Sequence, residues 1–304
     1  MSLAVIGSVF VDIKGYPTEK FLVGGRNAGT VEQVHGGVAR NIAEDIAHAG
    51  EAVTFIGLAD ESSAGADVIA HLASVGVDTT YMRRTADGMG TWLAVFNEHN
   101  DVVAAISKRP DLLPICGILN EQGDEIFAAS DGILLEFDLE QETVEAVYRL
   151  AEKHQKPVYA AVSNMRIALE NRAYLTKTAC FVCNEQEADI LFPGVFRNMT
   201  PEEMPAALQA AMKSADIASM VVTMAERGAV YASTETCGRI PAKPVKVADS
   251  TGAGDAFFAG VCVGLNRGAS LRKACSIGAE LAAQVISSTA NVCPDMALNM
   301  EENA

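Results

Sequence analysis

A glycine-rich turn leads directly into an apolar helix in DSTGAGDAFFAG, residues 249–260, and Asp255 stands at the junction. The small residues Gly252, Ala253 and Gly254 let successive backbone N–H groups converge, and the helix adds the positive end of its dipole. Such a turn is suited to holding an anion. A carboxylate beside a bound phosphate can take the proton of an attacking hydroxyl, so the spacing indicates phosphoryl transfer. In the alternative interpretation, Asp255 only complements the helix dipole of an ordinary turn.

The N-terminal half carries polar groups suited to binding a sugar. In HGGVARN, residues 35–41, Gly36 and Gly37 allow close backbone approach to a ligand, and Asn41 offers both a donor and an acceptor. Asp12 ends the first predicted strand, where open α/β sheets bind ligands. These residues could equally be a glycine hinge, a local cap and a turn-forming aspartate.

A third motif, CNEQEAD at 183–189, follows a predicted strand. Asn184 and Glu187 are three residues apart and share a face of a first helical turn, where they could hold a hydrated Mg²⁺. The same spacing fits a capping box, and both interpretations can hold together. Thr223 ends a later strand, and its hydroxyl could contact a nucleotide phosphate.

Composition limits the class of partner. The chain has 304 residues, is 49% hydrophobic and has a formal net charge of −16, which argues against nucleic acid or an anionic membrane as partners. Seven cysteines, an odd number, and the lack of a signal peptide at the N-terminus predict a reducing cytoplasm. Cys180 and Cys183 lie in an apolar run that predicts a buried strand rather than a redox or metal site.

The elements that must position these residues alternate between strand and helix. Apolar runs predict strands at 3–13, 52–60, 132–137, 157–162, 179–183 and 219–224. Helical stretches are predicted at 38–50, 140–154, 164–177 and 201–215. The alternation predicts a mostly parallel sheet with helices on both faces. Two segments, 16–35 and 91–106, read as extra strands that could cover a site or pair with a second copy of the chain.

Together, DSTGAGDAFFAG, GGVARN and NEQE resemble the ribokinase-like (PfkB) family of carbohydrate and nucleoside kinases over nearly the whole chain. The resemblance implies a doubly wound α/β fold in a single domain over residues 1–304, with a small β-sheet lid formed by about 14–35 and 88–107. It also implies ATP as phosphoryl donor, Mg²⁺, often a monovalent cation such as K⁺, and a small-molecule acceptor. The extra strands of 16–35 and 91–106 predict, in addition, a homodimer formed through the lid.

The resemblance assigns roles to individual residues. It makes Asp255 the base, with Gly252, Ala253 and Gly254 around the transferring phosphate. The residues implied to bind the acceptor are Asp12, Gly36, Gly37, Asn41, Asp138, Ser163 and Arg166. Those implied to bind the nucleotide are Asn184, Thr223, Glu226, Gly228 and Thr251. Glu187 and Asn184 would hold Mg²⁺ through water, and Asp249 would contact the monovalent cation.

Within the family, GGVARNIAE, TWLAVFNEHNDVVAAIS, VSNMR and ANVCPDMAL look most like pseudouridine kinases, which implies the 5′-hydroxyl of a nucleoside as acceptor. The chain departs from those kinases where a lysine is replaced by Arg166 and an aspartate by Lys108. It departs again where an Asp and Asn pair appears as Glu136 and Asp138, and where a glycine is replaced by Ala225. A free-sugar kinase of the ribokinase or fructokinase type, and a non-catalytic sugar- or nucleoside-binding regulator, remain the alternatives.

Overall fold

The protein is described from a computed structural model, which covers residues 1–99, 101–196 and 199–294. The end of ANVCPDMAL, residues 295–298, therefore lies outside the described residues, as does residue 100 in the turn of 91–106. The helices are α1 (Val38–His48), α2 (Ser63–Ser74), α3 (Pro114–Ala129), α4 (Gln141–His154), α5 (Met165–Ala168), α6 (Glu185–Leu191), α7 (Met204–Ser214), α8 (Ala253–Asn266) and α9 (Leu271–Ile286). Two 3₁₀ helices cover Leu169–Lys177 and Ala225–Arg227.

Strands belong to three sheets. They are β1 (Ser2–Ile6), β2 (Phe10–Pro17), β3 (Gly29–Gly36), β4 (Ala52–Ile56), β5 (Leu58–Asp60), β6 (Val77–Asp78), β7 (Arg83–Thr85), β8 (Gly90–Phe96), β9 (Val102–Lys108), β10 (Gly132–Glu136), β11 (Val158–Ala161), β12 (Cys180–Asn184), β13 (Ser219–Thr223), β14 (Ala229–Ser233) and β15 (Cys237–Ile240). The main sheet has the order β15-β14-β13-β12-β11-β10-β1-β4-β6. The small second sheet has the order β3-β2-β8-β9 and is called the lid sheet after the predicted lid, and β5 pairs with β7.

The main sheet is parallel from β6 to β13, and β14 and β15 extend it antiparallel. Along β1, side chains alternate between two hydrophobic cores: Ala4 and Ile6 pack on one face, Leu3 and Val5 on the other. The first core takes apolar residues from α3, α4 and α7, and the second takes them from α1, α2, α8 and α9. The predicted doubly wound sheet with a small additional sheet is therefore confirmed.

Three details differ from the sequence prediction. The apolar run 3–13 is two strands rather than one, because at Ser8 the backbone N–H donates to the Glu136 carboxylate instead of to a neighbouring strand. Asp12 therefore lies within β2 of the lid sheet, not at the end of the first strand. The predicted helix at 164–177 is one α-helical turn followed by a 3₁₀ helix, and the run 52–60 divides into β4 and β5.

Candidate active site

The site lies where the strand order reverses. From β1 the chain proceeds through β4 and β6 on one side, whereas β10 to β13 extend the other side, so β1 and β10 are parallel neighbours at the switch point. At their carboxyl ends, Ser8 donates to Glu136 from its backbone N–H at 2.7 Å and from its hydroxyl at 2.8 Å. Ligands of open α/β sheets bind in the crevice at this position.

The predicted anion-binding turn precedes α8. Gly252 has φ of 81° and stands just before the first helical residue, Ala253. A Cβ on Gly252 would overlap the carbonyl oxygen of Asn291, so this position requires glycine. Gly254 is different, because a Cβ there would meet nothing within 4 Å. The N-terminus of the helix therefore borders open space at Gly254, as an anion site needs.

Asp255 is held by the N-terminal motif. Asn41 on α1 donates from Nδ2 to Asp255 Oδ2 at 2.7 Å. The Oδ1 atom of Asn41 accepts from the Arg40 guanidinium and from Asn291 Nδ2, the latter at 3.3 Å. Since both donors are on the oxygen side, the amide of Asn41 must direct its nitrogen to Asp255. Arg40 is 2% exposed and also donates to the carboxylate of Glu44 and the carbonyl of His35, both at 2.5 Å.

Burial raises the pKa of Asp255 to about 7. The hydrogen bond from Asn41 and the charge of Arg40 act against this rise, whereas the carboxylates of Asp12 and Glu187 reinforce it. A carboxyl group with a pKa near neutrality is well matched to accept a proton at physiological pH. Asp255 therefore has the environment of a general base.

Asp12 and the first glycine of HGGVARN lie side by side. A Cβ on Gly36 would come within 2.5 Å of the Asp12 carboxylate, so a side chain there would displace it. Burial raises the pKa of Asp12, and the charges of Lys14 and Arg40 lower it. Gly37, with φ of 99°, precedes α1 and places Asn41 one turn along that helix.

Asp138 and Ser163 form a second polar group. Ser163 donates to Asp138 from its backbone N–H at 2.9 Å and from its hydroxyl at 2.8 Å, and it also reaches Glu136 at 3.1 Å. Arg109 donates to the buried Asp138 carboxylate at 3.2 Å. Burial and the neighbouring Asp138 raise the pKa of Glu136 to about 7. Arg166 has an exposed guanidinium with no partner in the described part of the chain.

A cleft of about 960 Å³, the main cleft, adjoins the turn. It brings together four predicted nucleotide-binding residues with two residues of the turn, namely Asn184, Thr223, Glu226, Gly228, Ala253 and Gly254. Its apolar wall comes from Val245, Val247, Phe257, Ala283 and Ile286. A cleft of this volume, with a largely apolar lining and a few polar groups, suits a small organic ligand. Thr251 is adjacent, although its hydroxyl donates to Asp249 at 2.8 Å.

Ala225 in the main cleft has φ of 50°, a left-handed conformation that glycine adopts at lower cost. The backbone therefore retains the conformation expected of the glycine that Ala225 replaces. The hydroxyl of the nearby Thr223 lies 3.5 Å from the carbonyl oxygen of Cys183.

Asn184 and Glu187 form a capping box at the start of α6. The Asn184 side chain accepts from the Glu187 N–H at 2.9 Å, and Glu187 Oε2 accepts from the Asn184 N–H at 2.8 Å. Burial raises the pKa of Glu187, and the charge of Asp138 adds to this effect. Glu187 Oε1 is left to act as an acceptor. Across residues 1–99, 101–196 and 199–294 there is no cluster of three or more His, Cys, Asp or Glu side chains able to hold a metal.

The residues present fit a hydrated Mg²⁺, which proteins bind through one or two carboxylates while the metal keeps several waters. Glu187 supplies one such carboxylate beside the main cleft, and the capping box fixes its position. When bound, the metal screens the charge of the transferring phosphates.

Cys180 and Cys183 are buried in β12, as predicted. Burial raises the pKa of the Cys180 thiol to about 11 and that of Cys183 well above its ordinary value. Such thiols are poor nucleophiles and poor metal ligands. In the described part of the chain, no helix is both long and apolar enough to cross a membrane.

Three cationic side chains of the site were not assigned from the sequence: Arg40, Arg109 and Lys14. A sequence signal exists for Arg40, because Glu44 stands four residues on and an i,i+4 ion pair is a common helical arrangement. Such pairs usually occupy exposed faces, whereas this one is buried beneath Asn41. Alternation along β2 places Lys14 on the same face as Asp12, but its partner lies far away in the chain.

Comparison with known proteins agrees with this geometry. A family model described as pfkB family carbohydrate kinase matches residues 1–293. The chain belongs to the PfkB family. It is therefore a kinase that transfers a phosphoryl group to a hydroxyl group, and membership implies ATP and typically Mg²⁺.

Individual relatives cover nearly the whole chain. A guanosine-inosine kinase from Exiguobacterium acetylicum is 35% identical over 299 residues, or 97% of each protein. A ribokinase from Bacillus subtilis is 28% identical over 300 residues, covering 92% of this PfkB protein and 94% of its own length. The structure of an Arabidopsis thaliana ribokinase complexed with ribose and ATP is similar with a TM-score of 0.78 at 21% identity, covering 96% and 95% of the two chains.

Proposed function

We propose that this PfkB kinase transfers the γ-phosphate of ATP to the primary hydroxyl of a ribose-bearing nucleoside. The observation that carries the proposal is the contact between Asn41 and Asp255. It joins the sugar-binding motif to the anion-binding turn, and the main cleft opens on the other side of that turn. Acceptor and donor can therefore meet at one carboxylate.

The chemistry follows from this placement. Asp255 takes the proton of the acceptor hydroxyl while that oxygen forms a bond to the γ-phosphorus, and the bond between the γ-phosphorus and the β–γ bridging oxygen breaks to release ADP. Backbone N–H groups at Gly252, Ala253 and Gly254 stabilise the charge on the transferred phosphoryl group. Asp12, Gly36, Gly37, Asn41, Asp138 and Ser163 orient the acceptor. Asn184, Thr223, Glu226, Gly228 and Thr251 position the nucleotide.

The base of the nucleoside is recognised by Arg166. Its guanidinium is exposed without a partner in the described residues, three positions after Ser163 on the helix that follows β11. A guanidinium has only donors, so it favours a base with carbonyl oxygens. Pseudouridine, the candidate from sequence resemblance, carries such oxygens. Guanosine and inosine carry one too, and the 35% identity to the guanosine-inosine kinase supports them as the second candidate.

A substrate panel tests the proposal. ADP release should be measured with pseudouridine, guanosine, inosine, adenosine, ribose, fructose and fructose 6-phosphate. We expect turnover on a nucleoside with a carbonyl-bearing base and much weaker turnover on adenosine and on free sugars. Arg166→Gln should raise KM for the nucleoside with little change in kcat, because the base does not react. Preferred turnover of free ribose or fructose would support the sugar-kinase alternative. Binding without turnover would support the regulator.

We also infer that the protein forms a homodimer through the lid sheet. By strand register, Val31, Leu93 and Ile106 share the face opposite Asp12 and Lys14. Val31 is 76% and Ile106 70% exposed, so this face offers an apolar surface to a second copy. Ile106→Glu should convert a dimer to a monomer in light scattering. Leu113→Glu, at an exposed leucine outside the lid, is the control. A wild-type monomer at micromolar concentration would refute the inference.

A reducing compartment such as the cytoplasm is supported by the thiols. All seven cysteines are free, and five of them are buried. Disulfides form readily in secreted proteins, so free thiols in this number favour a reducing environment.

A further inference from the structure

Lys14 is a buried lysine in the lid sheet, and its ammonium faces the carboxylate of Asp249. The residue is 4% exposed, and its Nζ lies 3.7 Å from Asp249 Oδ2. Lysine is rarely this buried without a partner, because removing an ammonium from water is costly. Asp249 begins the DSTGAGD segment, three residues before Gly252. The contact therefore links the lid strand β2 to the anion-binding turn.

Both oxygens of Asp249 are engaged. Oδ1 accepts from the Thr251 N–H at 2.9 Å and from the Thr251 hydroxyl at 2.8 Å, and Oδ2 faces the Lys14 ammonium. Thr251 is thereby fixed next to the first glycine of the turn. The positive charge on the other side keeps the Asp249 carboxylate ionised and in place.

A monovalent cation such as K⁺ does not fit beside this carboxylate. It would bind through Asp249 Oδ2, where the ammonium of Lys14 already supplies a unit positive charge. Two like charges at that separation repel, and the burial of the Lys14 side chain strengthens the repulsion. The ammonium of Lys14 is a compact point charge, like an alkali cation, so it can take the place of that cation beside the carboxylate.

We propose that Lys14 supplies the positive charge that orders the anion-binding turn, so that this kinase works without K⁺. Lys14 is a positioning residue: it contacts Asp249, and Asp249 holds Thr251 and the turn. Lys14 lies on β2, which also carries Asp12 two residues earlier on the same face. The packing of β2 against the site and the ordering of the anion-binding turn are therefore coupled through Lys14. The proposal rests on the kinase function proposed above.

The test compares salts at equal ionic strength. ADP formation should be followed by chromatography, which needs no potassium-dependent coupling enzyme, in KCl, NaCl and tetramethylammonium chloride. Wild-type kcat should differ by less than about twofold among the three. Lys14→Met should lose at least about tenfold in kcat in tetramethylammonium chloride and regain most of it in KCl. Lys14→Arg should keep more activity than Lys14→Met, and Lys20→Met, at an exposed lysine of the same lid, should behave as wild type.

A second readout does not depend on turnover. KCl should raise the melting temperature of Lys14→Met above its value in tetramethylammonium chloride, and it should not do so for the wild type. Stimulation of the wild type by K⁺ of about tenfold or more would overturn the proposal. Full, salt-indifferent activity of a folded Lys14→Met would also overturn it. Absence of turnover on every nucleoside in every salt would instead count against the proposed function.

Discussion

The environment of Asp255 predicts how the reaction depends on pH. A base must be deprotonated to act, and the pKa of Asp255 is raised to about 7. Its ionised fraction is then about a tenth at pH 6, about half at pH 7 and about nine tenths at pH 8. We expect kcat/KM to rise about tenfold from pH 6 to pH 8, and its logarithm to approach a slope of one below about pH 6.

Asn41→Ala is the informative perturbation. The hydrogen bond from Asn41 Nδ2 favours the ionised form of Asp255, so its loss raises the pKa of Asp255 further. A hydrogen bond to a charged group contributes about 1.5–3 kcal/mol, and one pKa unit corresponds to about 1.4 kcal/mol. Solvent access at this half-buried site reduces the effect. The acid limb of the pH–rate profile, where kcat/KM rises with pH, should therefore shift to higher pH by about one unit.

The assay is initial-rate ADP formation over pH 5.5 to 9, with the stability of each variant checked at both ends. Glu136 is the control, because the pKa of its carboxyl is also raised to about 7. Glu136→Gln should leave the limb in place if Asp255 is the base. A wild-type limb near pH 4, or one that disappears in Glu136→Gln, would refute the assignment. Asp255→Asn should lower kcat by about 10²–10⁴-fold while ATP still binds.

Three further variants probe the turn and the main cleft. Gly254→Ala should raise the melting temperature, because alanine is the better helix former and its Cβ meets nothing, yet it should weaken ATP binding by filling the phosphate space. Gly252→Ala should lower stability severely, since its Cβ overlaps the Asn291 carbonyl, and equal stability of these two variants would contradict the geometry. Ala225→Gly should stabilise the fold by about 1 kcal/mol in urea unfolding by relieving the left-handed alanine, and a loss of stability would show that the backbone is not strained there. The pKa of Asp255 is higher in the folded than in the unfolded protein, so the stability it contributes is complete below about pH 4 and lost as pH rises to about 7. Asp255→Asn should accordingly raise the melting temperature at pH 8 but not at pH 4.

Much of the fold was predictable because buried parallel strands have a distinctive sequence. Their runs are apolar on both faces, and polar-faced helices separate them. Two features escaped this pattern. The apolar run 3–13 does not indicate that a strand ends at Ile6, because this end depends on the contact of Ser8 with Glu136, which is far away in the chain. Strands β14 and β15 are short and antiparallel at one end of the sheet, and no crossover helix precedes either of them in the chain.

The sequence motifs singled out both Asp255 and Asn41, and in the structure these two residues make direct contact. The partners that constrain them were not predictable in the same way. Arg40 directs the amide of Asn41 by occupying its oxygen, and Lys14 occupies Asp249. Such pairings depend on which strand and helix meet, and no local pattern contains that information.

The charge balance explains why these cationic side chains matter. The acceptor side concentrates carboxylates that raise one another's pKa, and ATP brings further negative charge to the same place. The cations are each directed at a group of the protein: Lys14 at Asp249, Arg109 at Asp138, and Arg40 at Asn41 and Glu44. These cations therefore offset negative charge of the protein's own side chains. We expect the charge of the ATP phosphates to be offset instead by the N–H groups of the turn and by Mg²⁺. Chelation of Mg²⁺ should accordingly abolish transfer even with every cationic side chain intact, whereas nucleoside binding, which involves none of the phosphates, should persist in calorimetry.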